Sequence, residues 1–320
     1  MNKDFRNFIS RLLILVLLVI IASVLQLMAG IFIIGCQYQY DYMASAVDKI
    51  ARMKSITTPK ITLIGNSNLA FGMDSKMLED ALNMPVVNLG LHGGLSNAFY
   101  ENMARISVNS GDILILCHSS YADDDKLGDI SLAWQTVEYH KSLWNLIREK
   151  DYPDMLRGWP KYWLRSLLLW ATFLGNKPSP PPYTRDAFNE YGDVVAKPEN
   201  ARYPLDVIFK PGSISVPRIN ETCTRRINSL NKYVKDRGAV LLVAGYPVAS
   251  GDYTPPAADY AKFQESLARK LDCEIISDFR DYFIPYEYFY NTTLHLDKRG
   301  TKLRTSQLIK DIKNWQARRK

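Results

Sequence analysis

The chain has 320 residues, of which 47% are hydrophobic and 23% charged, close to the average of globular proteins. This balance excludes a wholly disordered chain and a transporter with many membrane spans. The net charge is +7, but much of the basic surplus lies at the two ends, and no basic patch interleaved with aromatic residues is present. We therefore expect no nucleic acid as a partner.

An almost continuous apolar run extends over residues 12–35. As a helix rising ~1.5 Å per residue, it would reach about 36 Å, enough to cross a bilayer. Lys3, Arg6 and Arg11 precede the run, so the positive-inside rule places the N-terminus in the cytoplasm. The sequence predicts a single-pass protein of the cell membrane, with residues 1–36 as its anchor and the remaining chain periplasmic or extracellular.

The residues before Cys36 also resemble a bacterial lipobox, in which this cysteine would be acylated after cleavage. The apolar run is long for the core of a signal peptide, which spans ~7–15 residues. We favour the uncleaved anchor, and a lipoprotein modified at Cys36 is the alternative.

The four cysteines and four histidines show none of the spacings typical of a metal site. We therefore expect neither a metal nor a cofactor. Two cysteines, Cys117 and Cys273, lie in apolar runs and are expected to act as small buried hydrophobic residues.

After a helical linker predicted over 37–58, short apolar runs alternate with amphipathic stretches through the domain at 59–320. The predicted strands lie at 61–64, 85–90, 113–117, 239–244 and 273–277. The predicted helices lie at 75–82, 96–106, 260–271 and 298–318. The alternation indicates an α/β domain with a flavodoxin-like, doubly wound parallel sheet of about five strands.

The alternation is interrupted over residues 122–218, which are rich in tryptophan, tyrosine and proline. We interpret this region as an inserted aromatic-rich subdomain. Its apolar stretch 163–173 is too short to span a bilayer. Three interpretations stay open for that stretch: it lies on the membrane, it covers the site, or it belongs to an ordinary core.

Ligands of such sheets bind beyond the carboxyl ends of the strands. Ser67 follows the first predicted strand on a turn, where a serine can expose its hydroxyl. His295 follows the last predicted strand and precedes the last helix. A histidine in this place can take the proton of Ser67 and return it to a leaving group.

Three sequence blocks carry a resemblance to a known family. They are Ile64-Gly65-Asn66-Ser67-Asn68, then Asn88-Leu89-Gly90, then His295-Leu296 with Gly300. In this order they resemble the SGNH (GDSL-type) hydrolase superfamily, over residues 59–120 and 239–315. The chain looks most like its membrane-anchored members, such as the D-alanyl transfer protein of teichoic acid synthesis and the polysaccharide O-acetylation proteins.

The resemblance implies a role for each matching residue. Ser67 matches the nucleophile and His295 the general base. Gly90, together with the backbone of Ser67, matches the oxyanion donors, and Asn68 is grouped with the residues that bind oxyanion or substrate. A member of the family would form an acyl-serine ester and pass the acyl group to water or to a sugar hydroxyl.

The sequence departs from the family pattern at several positions. Asn66 stands where the superfamily usually has Asp, and the block after the third strand lacks its asparagine, for which His118 or Ser119 could substitute. The acidic partner of the histidine is replaced by Asn291, which can orient the imidazole without supplying charge. Asp297 is a spare carboxylate, although its position favours the start of the last helix.

Two functions fit these observations. The first is a membrane-anchored esterase or O-acyltransferase that acts on a cell-envelope glycan or a lipid-linked acyl acceptor through a Ser-His dyad. A membrane-bound acyltransferase would then be the partner that donates the acyl group. The alternative is a catalytically inactive protein of the same fold that binds glycan or organises an envelope assembly complex.

Overall fold

The computed structural model describes residues 3–29, 36–123, 125–138, 140–172, 179–200 and 204–319. Its strands are β1 (Ile61–Ile64), β2 (Val86–Asn88), β3 (Ile113–Leu116), β4 (Val240–Val243), β5 (Val248–Ser250), β6 (Glu274–Ile275) and β7 (Phe283–Pro285). Its α-helices are α1 (Lys3–Ala29), α2 (Ala46–Ser55), α3 (Ser67–Gly72), α4 (Ser75–Leu82), α5 (Asn97–Ala104), α6 (Ile130–Glu138), α7 (Tyr152–Ala171), α8 (Leu205–Ile208), α9 (Glu221–Lys235), α10 (Ala257–Ala268) and α11 (Lys298–Ala317).

Five strands form one sheet in the order β2-β1-β3-β4-β6, and every neighbouring pair is parallel. Each of these strands lies within one of the five predicted runs, so the prediction of an α/β protein with a parallel sheet is confirmed. β5 and β7 form a separate two-stranded parallel sheet. A parallel arrangement requires burial on both faces, which explains why the runs are short and continuously apolar.

The two faces of the sheet are covered by different sets of helices. Along β1, Ile64 belongs to a large core cluster that includes residues of α2, α5, α9 and α10, whereas Ile61 and Leu63 belong to a second cluster with α4 and α11. This division follows from the period of two in a strand, which sends successive side chains to opposite faces. Helices therefore pack on both sides of the sheet.

The segment 37–58, predicted as a helical linker, is helical in part but belongs to the folded domain. Tyr38, Tyr42, Ile50 and Met53 are all buried in the larger core cluster. The helix α2 also packs against β2. The apolar residues at this spacing form a buried helix face, so the domain begins earlier than position 59.

The described residues of the region 122–218 pack mainly on the core of the sheet, and not on a separate core as an inserted subdomain would. Its residues Trp134, Tyr162 and Val194 belong to the same cluster as the sheet. The carboxylate of Asp193 accepts a hydrogen bond from Asn88 Nδ2 at 2.8 Å, directly at the end of β2. The chain in this region departs from the α/β alternation, yet it completes one face of the domain.

The N-terminal helix α1 is long and apolar enough to cross a membrane. None of its residues is buried against the rest of the chain. A fully exposed apolar helix of this length is typical of a segment that is covered by lipid.

Candidate active site

Ser67 is the first residue of α3 and lies just beyond the carboxyl end of β1. The preceding Asn66 caps the helix: its side-chain oxygen accepts a hydrogen bond from the Asn68 N–H at 3.0 Å. Such a cap fixes the turn between strand and helix. The cap therefore holds the Ser67 hydroxyl beyond the carboxyl end of β1, where the Ser67 side chain is only partly buried.

His295 lies within hydrogen-bonding distance of this serine, although 228 positions separate the two in the chain. Its Nε2 is 2.8 Å from Ser67 Oγ. Its Nδ1 is 2.8 Å from Asn291 Oδ1, which accepts the Nδ1 proton. With the proton on Nδ1, the lone pair of Nε2 faces the serine hydroxyl, which is the tautomer that a general base requires. The structure thus brings Ser67, His295 and Asn291 into one chain of hydrogen bonds.

Two contacts position His295, one through its backbone and one through its ring. Thr292 Oγ1 accepts a hydrogen bond from the His295 N–H at 3.1 Å. The imidazole ring also stacks on Phe71 of α3, with ring centroids 4.1 Å apart and planes 7° from parallel. The base and the nucleophile are therefore both positioned by α3.

Burial keeps the imidazole neutral. His295 is 7% exposed, and desolvation lowers its pKa from 6.5 to about 3, with smaller contributions from the nearby His92 and Lys197. Asn291 supplies a hydrogen bond but no negative charge to oppose this effect. The imidazole beside Ser67 is therefore neutral at neutral pH and only weakly basic.

Asn291 is itself oriented by a residue from the region 122–218. Its Nδ2 donates a hydrogen bond to the Tyr183 hydroxyl at 2.7 Å. This contact links the His295 loop to the region 122–218, which the sequence predicts as an inserted subdomain.

Gly90 does not occupy the place of an oxyanion donor, which corrects the sequence-based prediction. Its N–H donates to Asn88 Oδ1 at 2.9 Å, and a Cβ at this position would lie 2.5 Å from the Ala70 nitrogen. Gly90 therefore allows the loop to pack against the backbone of α3. The glycine next to the nucleophile is Gly93, where a Cβ would lie 3.8 Å from Ser67 Oγ.

Asn68 is fully buried below the site and does not face the substrate side, contrary to prediction. Its Nδ2 donates to Asn66 Oδ1 at 2.7 Å and to the Cys117 carbonyl at 3.1 Å. The buried Arg304 of α11 donates to the Asn68 carbonyl at 2.5 Å and to Asn68 Oδ1 at 2.8 Å. These bonds fix the first turn of α3 to β3 and α11.

The two candidates after β3 differ in their positions. His118 is fully buried, and its Nε2 lies 3.2 Å from Glu101 Oε1, so this residue faces away from the site, contrary to prediction. Ser119 is partly buried, and its Oγ accepts a hydrogen bond from Asn66 Nδ2 at 3.1 Å. Of the two, only Ser119 lies at the rim of the site.

A cavity of about 160 Å³ adjoins Ser119 and the residue before His295. Its lining combines hydroxyl groups with aromatic and aliphatic side chains: Ser119, Ser213, Ser215, Tyr246, Val248, Tyr260, Thr293 and Leu294. Mixed walls of this kind suit a ligand that has both polar and apolar parts.

The spare carboxylate Asp297 has a structural role. Its Oδ1 accepts a hydrogen bond from the Gly300 N–H at 2.9 Å, so it caps α11, as its position in the sequence indicates.

Two residues contact the site from elements distant in the chain, and no local sequence pattern indicates them. Tyr183 bonds to Asn291, and Arg304 bonds to Asn68. The glycine-rich loop that contains Gly93 can be recognised in the sequence. Which of its glycines lies next to Ser67 depends on tertiary packing.

Comparisons with protein-family models, with curated proteins and with solved structures found no match to this chain.

Proposed function

We propose that this protein is a serine-dependent acyl-ester hydrolase or O-acyltransferase, similar in its site to the SGNH hydrolases. The observation that carries the proposal is the relay from Ser67 through His295 to Asn291, with both hydrogen bonds at 2.8 Å. A serine next to a correctly oriented imidazole is the signature of an activated nucleophile.

In the proposed reaction, His295 Nε2 takes the Ser67 proton while Oγ attacks the carbonyl carbon of an acyl ester. The ester bond to the leaving alcohol then breaks, and His295 returns the proton to the leaving oxygen. An acyl-serine remains. Water or an acceptor hydroxyl then loses a proton to His295 Nε2 and attacks the acyl carbon. The bond from this carbon to Ser67 Oγ breaks, the acyl group leaves on the acceptor oxygen, and His295 returns the proton to Oγ.

The fold gives the proposal a second support. The sheet order β2-β1-β3-β4-β6 corresponds to the 2-1-3-4-5 order of flavodoxin-like folds. We assign the sheet to that class by this correspondence. Ser67, Ser119 and the cavity beside them lie beyond the carboxyl ends of β1 and β3, the edge at which such folds bind ligands.

We further propose that α1 anchors the protein in the cell membrane, with the N-terminus cytoplasmic and the domain outside. Substrates of such an enzyme are acyl esters at the outer face of the membrane. A cell-envelope glycan or a lipid-linked acceptor would fit the hydroxyl-lined and aromatic cavity next to Ser119. A membrane-bound acyltransferase is the proposed source of the acyl group.

The alternative is a non-catalytic protein that binds glycan in the same cavity. Two observations favour it: Asn291 carries no charge, and the Gly90 N–H is already bonded to Asn88. The two functions differ in whether Ser67 can be acylated.

Acylation of Ser67 is therefore the test of the proposed function. The full chain in detergent is treated with a fluorophosphonate probe and with p-nitrophenyl acetate, beside Ser67→Ala and the matched control Ser306→Ala, which changes an exposed serine of α11. We expect labelling and hydrolysis in the wild type and in the Ser306 variant, and neither in the Ser67 variant. A folded wild-type protein that remains unlabelled would contradict catalysis and favour the binding function.

A further inference from the structure

The helix α7 presents an apolar face that no described part of the chain covers. Leu156, Leu164, Leu168 and Trp170 are 70%, 52%, 56% and 44% exposed. The three leucines are separated by multiples of four residues and therefore lie along one side of the helix. We call this set the outer face of α7.

The outer face belongs to a helix that is firmly packed on its other side. Met155, Tyr162 and Ser166 of α7 are buried. Trp134 of α6 donates a hydrogen bond from Nε1 to the Met155 carbonyl at 3.0 Å, and its ring stacks on Tyr162 at 5.6 Å. The orientation of the outer face is thus fixed by the core of the domain.

A row of basic residues runs along the edge of the outer face. Arg157, Lys161 and Arg165 are spaced by four residues and are all exposed. The acidic residue of α7 is Asp154, and its Oδ1 lies 2.7 Å from Arg157 Nη1. Apolar and basic rows side by side are typical of a helix that lies in the interface of a bilayer.

The position of α7 relative to the end of α1 supports the same conclusion. Cys36 Sγ donates to the Glu138 carbonyl at the end of α6, and the Tyr38 ring lies 5.9 Å from Tyr162 of α7. The chain between Ala29 and Cys36 can span at most about 25 Å, since an extended residue covers ~3.3–3.6 Å. The first described residues after α1 therefore hold α7 close to the end of that helix.

We propose that the outer face of α7 lies in the surface of the bilayer that α1 crosses. Its leucines and Trp170 would enter the boundary between headgroups and acyl chains, and its basic row would contact lipid phosphates. The inference rests on the membrane anchoring proposed above. It adds a second point of attachment, which fixes the orientation of the domain.

The test is a depth measurement on the full chain in nanodiscs of phosphatidylcholine and phosphatidylglycerol. Cys36→Ser and Cys273→Ser remove the partly buried thiols, and Leu168→Cys places an environment-sensitive fluorophore on the outer face. The matched control is Leu303→Cys on α11, a leucine that is 50% exposed. Doxyl-labelled lipid is the quencher.

We expect the label at position 168 to be quenched at least about twofold more than the label at 303, because an interfacial helix sits about 5–10 Å into the headgroup region. Quenching at 168 that does not exceed quenching at 303 would overturn the proposal. That outcome would indicate that another membrane protein or a second copy of this chain covers the outer face of α7. Neither is present in a nanodisc that holds a single chain. Fluorophosphonate labelling of Ser67 on the same sample reports the catalytic proposal separately.

Discussion

Asn291 stands where a serine hydrolase of the proposed kind carries a carboxylate, so the burial that lowers the pKa of His295 is not opposed by a negative charge at this position. Its amide oxygen holds the Nδ1 proton of His295, so the orientation of the imidazole is retained. The positive charge that His295 acquires during attack is not neutralised by it. The proposed reaction then depends on the stacking of Phe71 and on burial to keep the imidazole in place.

The low pKa of His295 predicts an unusual pH profile. An imidazole with the ordinary pKa of 6.5 becomes mostly protonated below that value, and activity would fall about 30-fold between pH 8 and pH 5. Burial lowers the pKa of His295 to about 3, so the base stays neutral over this range. We expect kcat/KM for p-nitrophenyl acetate to change less than about threefold between pH 8 and pH 5. A fall in kcat/KM toward acid pH with its midpoint near the ordinary histidine pKa of about 6.5 would contradict this prediction.

Asn291→Asp is expected to increase activity. The carboxylate would accept the Nδ1 proton as the amide does, and the Tyr183 hydroxyl could donate to its second oxygen. The charge would stabilise the imidazolium that forms during attack, so a gain of about tenfold in kcat is expected, which corresponds to about 1.4 kcal/mol of transition-state stabilisation. The acid limb would also move to higher pH, since a nearby negative charge raises the pKa of a histidine.

Asn291→Ala is the matched control, because it removes both hydrogen bonds of the amide. We expect its kcat to fall below that of the wild type. Equal rates for all three proteins would show that position 291 does not influence the base.

At the scale of elements, α3 links nucleophile, base and core. Its first residue is Ser67, its Phe71 carries the His295 ring, and its Asn68 is fixed by Arg304 of α11. The loop that contains Gly90 also packs against the α3 backbone, next to the nitrogen of Ala70. A displacement of α3 would therefore move Ser67 and disturb the stacking that positions the His295 ring.

Two glycine substitutions separate packing on α3 from access to the nucleophile. In Gly90→Ala the new methyl would lie 2.5 Å from the Ala70 nitrogen, so we expect a loss of stability of about 1–3 kcal/mol. In Gly93→Ala the methyl would lie 3.8 Å from Ser67 Oγ, an ordinary contact. We expect this variant to keep the melting temperature of the wild type and to lose activity, because the methyl occupies the space in front of the serine.

Thermal unfolding and p-nitrophenyl acetate hydrolysis of both variants check this pair. If Gly93→Ala unfolded as readily as Gly90→Ala, the loop would have a structural role only. Full activity of Gly93→Ala would place the substrate on another side of Ser67.

At the scale of the molecule, the parallel sheet could be predicted because its strands are short apolar runs that are buried on both faces. Ser67 and His295 could be predicted because each follows a predicted strand. Asn291 could be predicted because it lies four positions before the histidine, where the resembled family carries its acidic partner. The region 122–218 could not, because its burial depends on contacts such as that between Asn88 and Asp193, which no local pattern encodes. The same limit applies to Gly90. Its position in the sequence predicts that it lies in the loop after β2, but not that its N–H points to Asn88 Oδ1.

The 228 positions between Ser67 and His295 have a consequence for synthesis. A chain made from its N-terminus contains the anchor helix and the serine long before the histidine exists. A chain cut short before α11 lacks both Arg304, which fixes the turn of the nucleophile, and much of one face of the sheet. Premature products of translation would therefore be inert, and the esterase chemistry proposed here would begin only once α11 has been made.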